Sequence, residues 1–104
     1  MKDDGLYRIH IQECLARIES YTKDIEFETF SRTPLIQDAV LRNLQIMAES
    51  TQRLSEDFKK THPAIDWRKI SGLRNILVHD YLGIDLETVW NILAKALPGL
   101  KKAL

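Results

Sequence analysis

Gly72-Leu73-Arg74-Asn75-Ile76-Leu77-Val78-His79-Asp80-Tyr81 sets an arginine, an asparagine, a histidine and a tyrosine into a largely apolar run. At about 100° per residue, Trp67, Ile70, Leu73, Leu77 and Tyr81 fall on one side of a helix, the stripe that an amphipathic helix turns to a core. His79 falls roughly opposite. Gly72, Asn75 and His79, spaced three and then four residues apart, line this second face, with Ile76 and Arg68 beside them. A glycine inside a helix costs about 1 kcal/mol relative to alanine, and an exposed isoleucine gains nothing from water. A solvated face tolerates one such residue. Gly72, Ile76, Asn75 and His79 together fit a surface that another backbone approaches closely.

Arg74 and His79 are five residues apart, about 140° on an ideal helix, so within one chain their side chains diverge. A two-fold homodimer removes the difficulty, because an isologous contact presents the same patch twice and brings two arginines and two histidines into one cleft. These groups suit RNA cleavage without a metal. That reaction needs a group to take the proton from a 2′-hydroxyl, a group to protonate the leaving oxygen, and positive charge on the phosphate. His79, with a reference pKa of about 6.5, acts as base or acid near neutrality, and Arg74 offers a planar, permanently charged fork. Asn75 can orient either through its amide. No carboxylate cluster of the two-metal kind accompanies them, so neither a catalytic metal nor a cofactor is expected.

Arg74 followed at once by Asn75, then His79 after four intervening residues, then Tyr81 two further on, resembles the signature of the HEPN superfamily, and within it the HepT-like ribonuclease toxins. The flanking Ile70-Ser71-Gly72-Leu73 and Leu82-Gly83-Ile84-Asp85 resemble that subfamily too, and the likeness spans nearly the whole chain. The resemblance implies a homodimeric endoribonuclease with its cleft between protomers. It also implies a partner, an MNT-type nucleotidyltransferase antitoxin that transfers AMP to the hydroxyl of the tyrosine matching Tyr81. From the residues alone, Tyr81 is equally a ring packed near the apolar stripe with its hydroxyl hydrogen-bonded.

Composition sets the bounds. A chain of 104 residues has room for one core, so residues 1–104 are read as a single helical domain. Lys plus Arg and Asp plus Glu number 15 each, so net charge neither steers the protein to nucleic acid nor away from it, and RNA binding must rest on local patches. The lone Cys14 closes no intrachain disulfide, lies on an apolar stripe and fits a core position in a reducing compartment. The N-terminus lacks an apolar signal region, and nothing approaches the roughly 18 apolar residues that span a bilayer. A cytoplasmic location without a membrane partner is expected.

Along the chain, Asp3 and Asp4 can cap a first helix with Tyr7, Ile11, Cys14, Ile18, Tyr21 and Ile25 at alternating spacings of four and three. His10 flanks that seam and is assigned no catalytic role. Thr33-Pro34 reads as a cap followed by proline at the first helical position. A long helix then runs to about Lys60 with Val40, Leu44, Met47, Thr51, Leu54 and Phe58 inward. Lys59, Lys60 and His62 form a basic end before Pro63, suited to the helix dipole and secondarily to RNA. Asp66 caps the motif helix and Gly83 ends it. The last helix opens at Asp85 with Leu86, Val89, Trp90, Leu93 and Leu97 inward, and Pro98-Gly99 breaks it, leaving Lys101 and Lys102 on a tail.

No strand alternation or repeat is visible. The expectation is an all-α antiparallel four-helix bundle with room for a short extra helix near residues 24–31. Three functions fit the pattern: an endoribonuclease toxin; a non-catalytic module that binds a nucleotide or serves a nucleotidyltransferase; or a structural dimerisation bundle. The first uses His79, the second relies more on Arg74, and the third uses neither.

Overall fold

The computed structural model describes residues 4–79 and 85–104, with the backbone alone for 75–79. Its elements are α1 (Asp4–Thr22), α2 (Phe27–Arg32), α3 (Pro34–Arg53), α4 (Glu56–Lys60), α5 (Trp67–His79), α6 (Leu86–Lys95) and α7 (Leu97–Ala103). The described residues contain no strand, so the chain is all-α, as the periodicity predicts. The four main helices are α1, α3, α5 and α6, and the short extra helix is α2.

α3 is the central element, with α1 packed along one side and α5 along another. On α1 the buried residues are Ile11, Cys14, Leu15 and Ile18, the i, i+3, i+4, i+7 set of a core-facing stripe. Tyr21, expected on the same seam, is exposed. The helix ends one residue later, and Asp24 turns the chain at φ 60°, a left-handed conformation that aspartate tolerates better than most residues. On α3, Val40, Leu44, Met47 and Thr51 are buried as expected, together with Leu54 just beyond its end, and Leu41 and Ala48 widen the stripe. The Thr51 hydroxyl donates to the Met47 carbonyl at 2.9 Å, which satisfies it in the core.

The long helix expected to reach Lys60 stops at Arg53. Leu54 and Ser55 are extended, and the Ser55 hydroxyl accepts from the Phe58 N–H at 3.1 Å to cap α4. Asp4 fixes this break from the other end of the chain, accepting from the Ser55 N–H at 2.8 Å and from its hydroxyl at 2.6 Å. A serine that bonds its own backbone competes with helix propagation. Asp4 is thus a tie between α1 and α4 and already the first residue of its own helix; Asp3 lies outside the described residues. At the start of α3 the helix does begin at Pro34, but the Thr33 hydroxyl turns back to the Thr29 carbonyl at 2.7 Å and does not cap it.

The C-terminal reading is corrected too. The helix that opens at Asp85 does end just ahead of Pro98-Gly99, at Lys95, but a further helix follows in place of a tail: Pro98 sits in the first turn of α7, where its missing N–H has no intrahelical partner to lose. Leu97 and Leu100 are buried, and Lys101, expected on a tail, pairs with Glu19 of α1 at 2.8 Å. Asp85 opens α6 as expected, accepting from the Glu87 N–H and the Thr88 hydroxyl at 3.0 Å each. Trp90 of α6 packs on Phe27 and Phe30 of α2. No helix among the described residues is long and apolar enough to cross a membrane.

Candidate active site

The position of α5 is set at its first turn. Asp66 accepts from the Lys69 N–H at 3.0 Å, the cap expected of it. The Trp67 indole N–H reaches the carbonyls of Lys59 and His62, both at 3.1 Å. Phe58 meets the Trp67 ring edge-on and lies against His62, while the Arg8 guanidinium sits 5.3 Å over the Phe58 ring. Lys59 is largely covered, so Lys59 and His62 serve this anchor. His10 contacts the Tyr7 ring.

From that anchor Ile70 and Leu73 turn into the core. The next residue, Arg74, consequently emerges on the flank facing α3. Its Nε lies 3.5 Å from Glu49 Oε1, with the two side chains 41% and 43% exposed. One turn earlier the Ser71 carbonyl accepts from Gln52 Nε2 at 3.0 Å. Gly72 stands on the outer side. A β-carbon built there meets nothing within 4 Å among the described residues, so packing against those residues does not require glycine at this position.

The α5 backbone is helical through His79, so Arg74, Asn75, Ile76 and His79 share one helix as expected. The side chains of Asn75, Ile76, Leu77 and His79, and all of Tyr81 and Gly83, lie outside the described residues. Of the expected site, therefore, Arg74 and Gly72 are placed. Glu49 and Gln52 were not singled out by the sequence pattern. Their only signal is a polar repeat, Gln45, Glu49 and Gln52, at the same four and three spacing as the apolar stripe.

Two other features bear on chemistry. Cys14 is buried, and desolvation pushes its thiol above the usual range despite the nearby Arg17, which suits an inert core position. A groove of about 300 Å³ separates α5 from α6 and α7, lined by Ile65, Ile70, Leu73, Ile92 and Leu100 with Lys69 and Lys95 among its polar residues. It does not include Arg74. Among the described residues no three His, Cys, Asp or Glu side chains are grouped to share a metal ion.

Comparison with known proteins matches residues 11–104 to the model of the family described as ribonuclease HepT-like. A protein of Thermococcus cleftensis named "Probable ribonuclease HepT" is 37% identical over 91% of this chain and 86% of its own length. A Methanocaldococcus jannaschii protein with a provisional RNase name is 35% identical over 97% of this chain and 93% of its own. Another protein of that organism is 36% identical over 97% of the chain, its name joining a gamma-glutamylcyclotransferase to an RNase; the chain spans 46% of its length. No solved structure matches. With nearly the whole sequence matched, and with the arginine of the motif set on a helix fixed at its first turn, the chain belongs to the HepT-like ribonuclease family.

Proposed function

We propose that this protein is a metal-independent endoribonuclease toxin of a HEPN/MNT pair, acting as a homodimer. The observation that carries the reading is Arg74: in a chain of this family, its guanidinium is held beside α3, partly open to solvent. Permanently charged and planar, it suits the two oxygens of a scissile phosphate.

In the proposed reaction the RNA 2′-oxygen attacks phosphorus and gives its proton to a base, the P–O5′ bond breaks, and the departing 5′-oxygen takes up a proton. The products are a 2′,3′-cyclic phosphate and a 5′-hydroxyl. His79 serves the proton transfers, one copy from each protomer meeting the requirement for both base and acid. Asn75 orients its neighbours, and Arg74 stabilises the charge that develops on phosphorus. The open position at Gly72, followed four residues later by Ile76, supports the dimer face.

Silencing falls to an MNT-type nucleotidyltransferase. In this scheme the Tyr81 hydroxyl loses its proton to the partner or to water and attacks the α-phosphorus of ATP, releasing pyrophosphate and leaving AMP on the oxygen. A fixed phosphodiester near Arg74 then competes with RNA phosphate for the guanidinium. Incubating the purified protein with total RNA in chelator, beside His79→Ala, tests the nuclease: cleavage by the parent and none by the variant are expected. An absolute need for magnesium would overturn the mechanism. Co-expression with the partner followed by intact-mass measurement tests the modification, which Tyr81→Phe should abolish. If His79→Ala still binds nucleotide while no form of the protein cuts RNA, the non-catalytic module is the correct reading.

A further inference from the structure

Two ion pairs among the described residues join different helices, Lys101–Glu19 at 62% and 56% exposure and Arg74–Glu49 at 41% and 43%. A half-exposed pair of this kind contributes little to stability, so its place beside the motif arginine calls for another account. The geometry supplies one. Glu49 and Gln52 lie three residues apart on α3, and their partners Arg74 and Ser71 lie three residues apart on α5 in the reverse order. The two contacts form adjacent rungs between antiparallel helices. Glu49 meets Arg74 at Nε, one of five N–H donors on a guanidinium, so a single contact there leaves donors with which to meet phosphate.

We infer that Glu49 is a positioning residue for Arg74. It holds the guanidinium from the side, keeping its fork turned to the scissile phosphate, and its negative charge opposes RNA binding. The inference rests on the ribonuclease reading above. Orientation of a reacting group is realised mainly in the turnover step, whereas an added negative charge near a phosphate weakens association and is screened by salt. The two effects of removing it therefore have opposite signs in kcat and KM.

Glu49→Gln preserves size and removes the charge. Steady-state cleavage of a short RNA by the intact protein should show kcat lowered by about tenfold and KM lowered about threefold at low salt, the KM difference closing as salt approaches ~1 M. Glu49→Asp, which keeps the charge, should return KM to the parent value and recover part of kcat. Thermal melts should place both variants close to the parent. If Glu49→Gln cleaves with the parent's kcat and KM, or loses rate with KM unchanged or raised, the inference falls while the ribonuclease reading stands, provided that the parent cleaves and Arg74→Ala does not. If the parent leaves RNA intact, the reading falls and this inference with it.

Discussion

The seam between α1 and α3 and the flank between α3 and α5 are built from opposite materials. Ile11, Cys14, Leu15 and Ile18 meet Val40, Leu44 and Met47 in a region closed to water. Across the other flank, outside the Ile70 and Leu73 stripe, the described residues join the helices through polar contacts, a hydrogen bond from Gln52 to Ser71 and an ion pair of Glu49 with Arg74. Apolar burial is non-directional and strong, roughly 25 cal/mol per Å². A half-exposed ion pair contributes little but fixes direction. The first region therefore determines whether the chain folds, and the second determines where a charged group points.

Substitutions that keep these roles apart test the distinction. Leu44→Ala removes a side chain that is 1% exposed at the centre of the seam and should cost about 2–5 kcal/mol, read as a lower midpoint in urea. Cleavage per folded molecule should be retained. A loss of less than ~1 kcal/mol would mean that the seam is not the core it is taken for.

Arg74→Ala is the converse experiment. It should lower cleavage at least a hundredfold, as removal of a group that stabilises transition-state charge does, while stability changes by less than about 1 kcal/mol because the lost pair is half exposed. If stability falls as far as in Leu44→Ala, Arg74 is holding the fold, and the division between the two regions fails.

Ser55→Ala probes the joint that connects them. The Ser55 hydroxyl caps α4 and donates to Asp4, so its loss should cost about 0.5–2 kcal/mol. Asp4→Asn should lose part of the same energy. The double variant should cost less than the sum of the two if both residues act through one contact; additivity would separate them.

What the sequence made legible follows the same line. The stripes on α1 and α3 could be read because a period of 3.6 requires only neighbours on one helix, and Asp66, Pro34 and Asp85 could be read because a helix start is local chemistry. The break at Ser55 could not, since the apolar stripe passes through it from Leu54 to Phe58 and the group that fixes it, Asp4, is 51 residues away. Pro98-Gly99 misled because the same pair that stops one helix can open the next. Of the candidate site, Arg74 was legible from its motif. Glu49 was not, because its meaning depends on how α3 and α5 lie against each other, which no local pattern encodes.

Gly72→Ala carries the smallest change in the stability of a single protomer and separates the two meanings of an open helix face. A β-carbon at this position meets nothing within 4 Å among the described residues, so in an isolated protomer the substitution should act through helix propensity alone, stabilising by about 0.5–1 kcal/mol. In a dimer that brings a second backbone against this face, the added methyl group instead forces the protomers apart, and overpacking of that kind costs about 1–3 kcal/mol. The two signs are measurable on one sample. Sedimentation should show weaker dimerisation, and melts at concentrations low enough to dissociate the parent should show a higher midpoint for the variant. The proposed cleft between protomers then predicts that cleavage falls with the dimer fraction and recovers as protein concentration is raised. If Gly72→Ala is more stable at every concentration and equally active, the face meets water, and Arg74 and His79 must be brought together by some other contact.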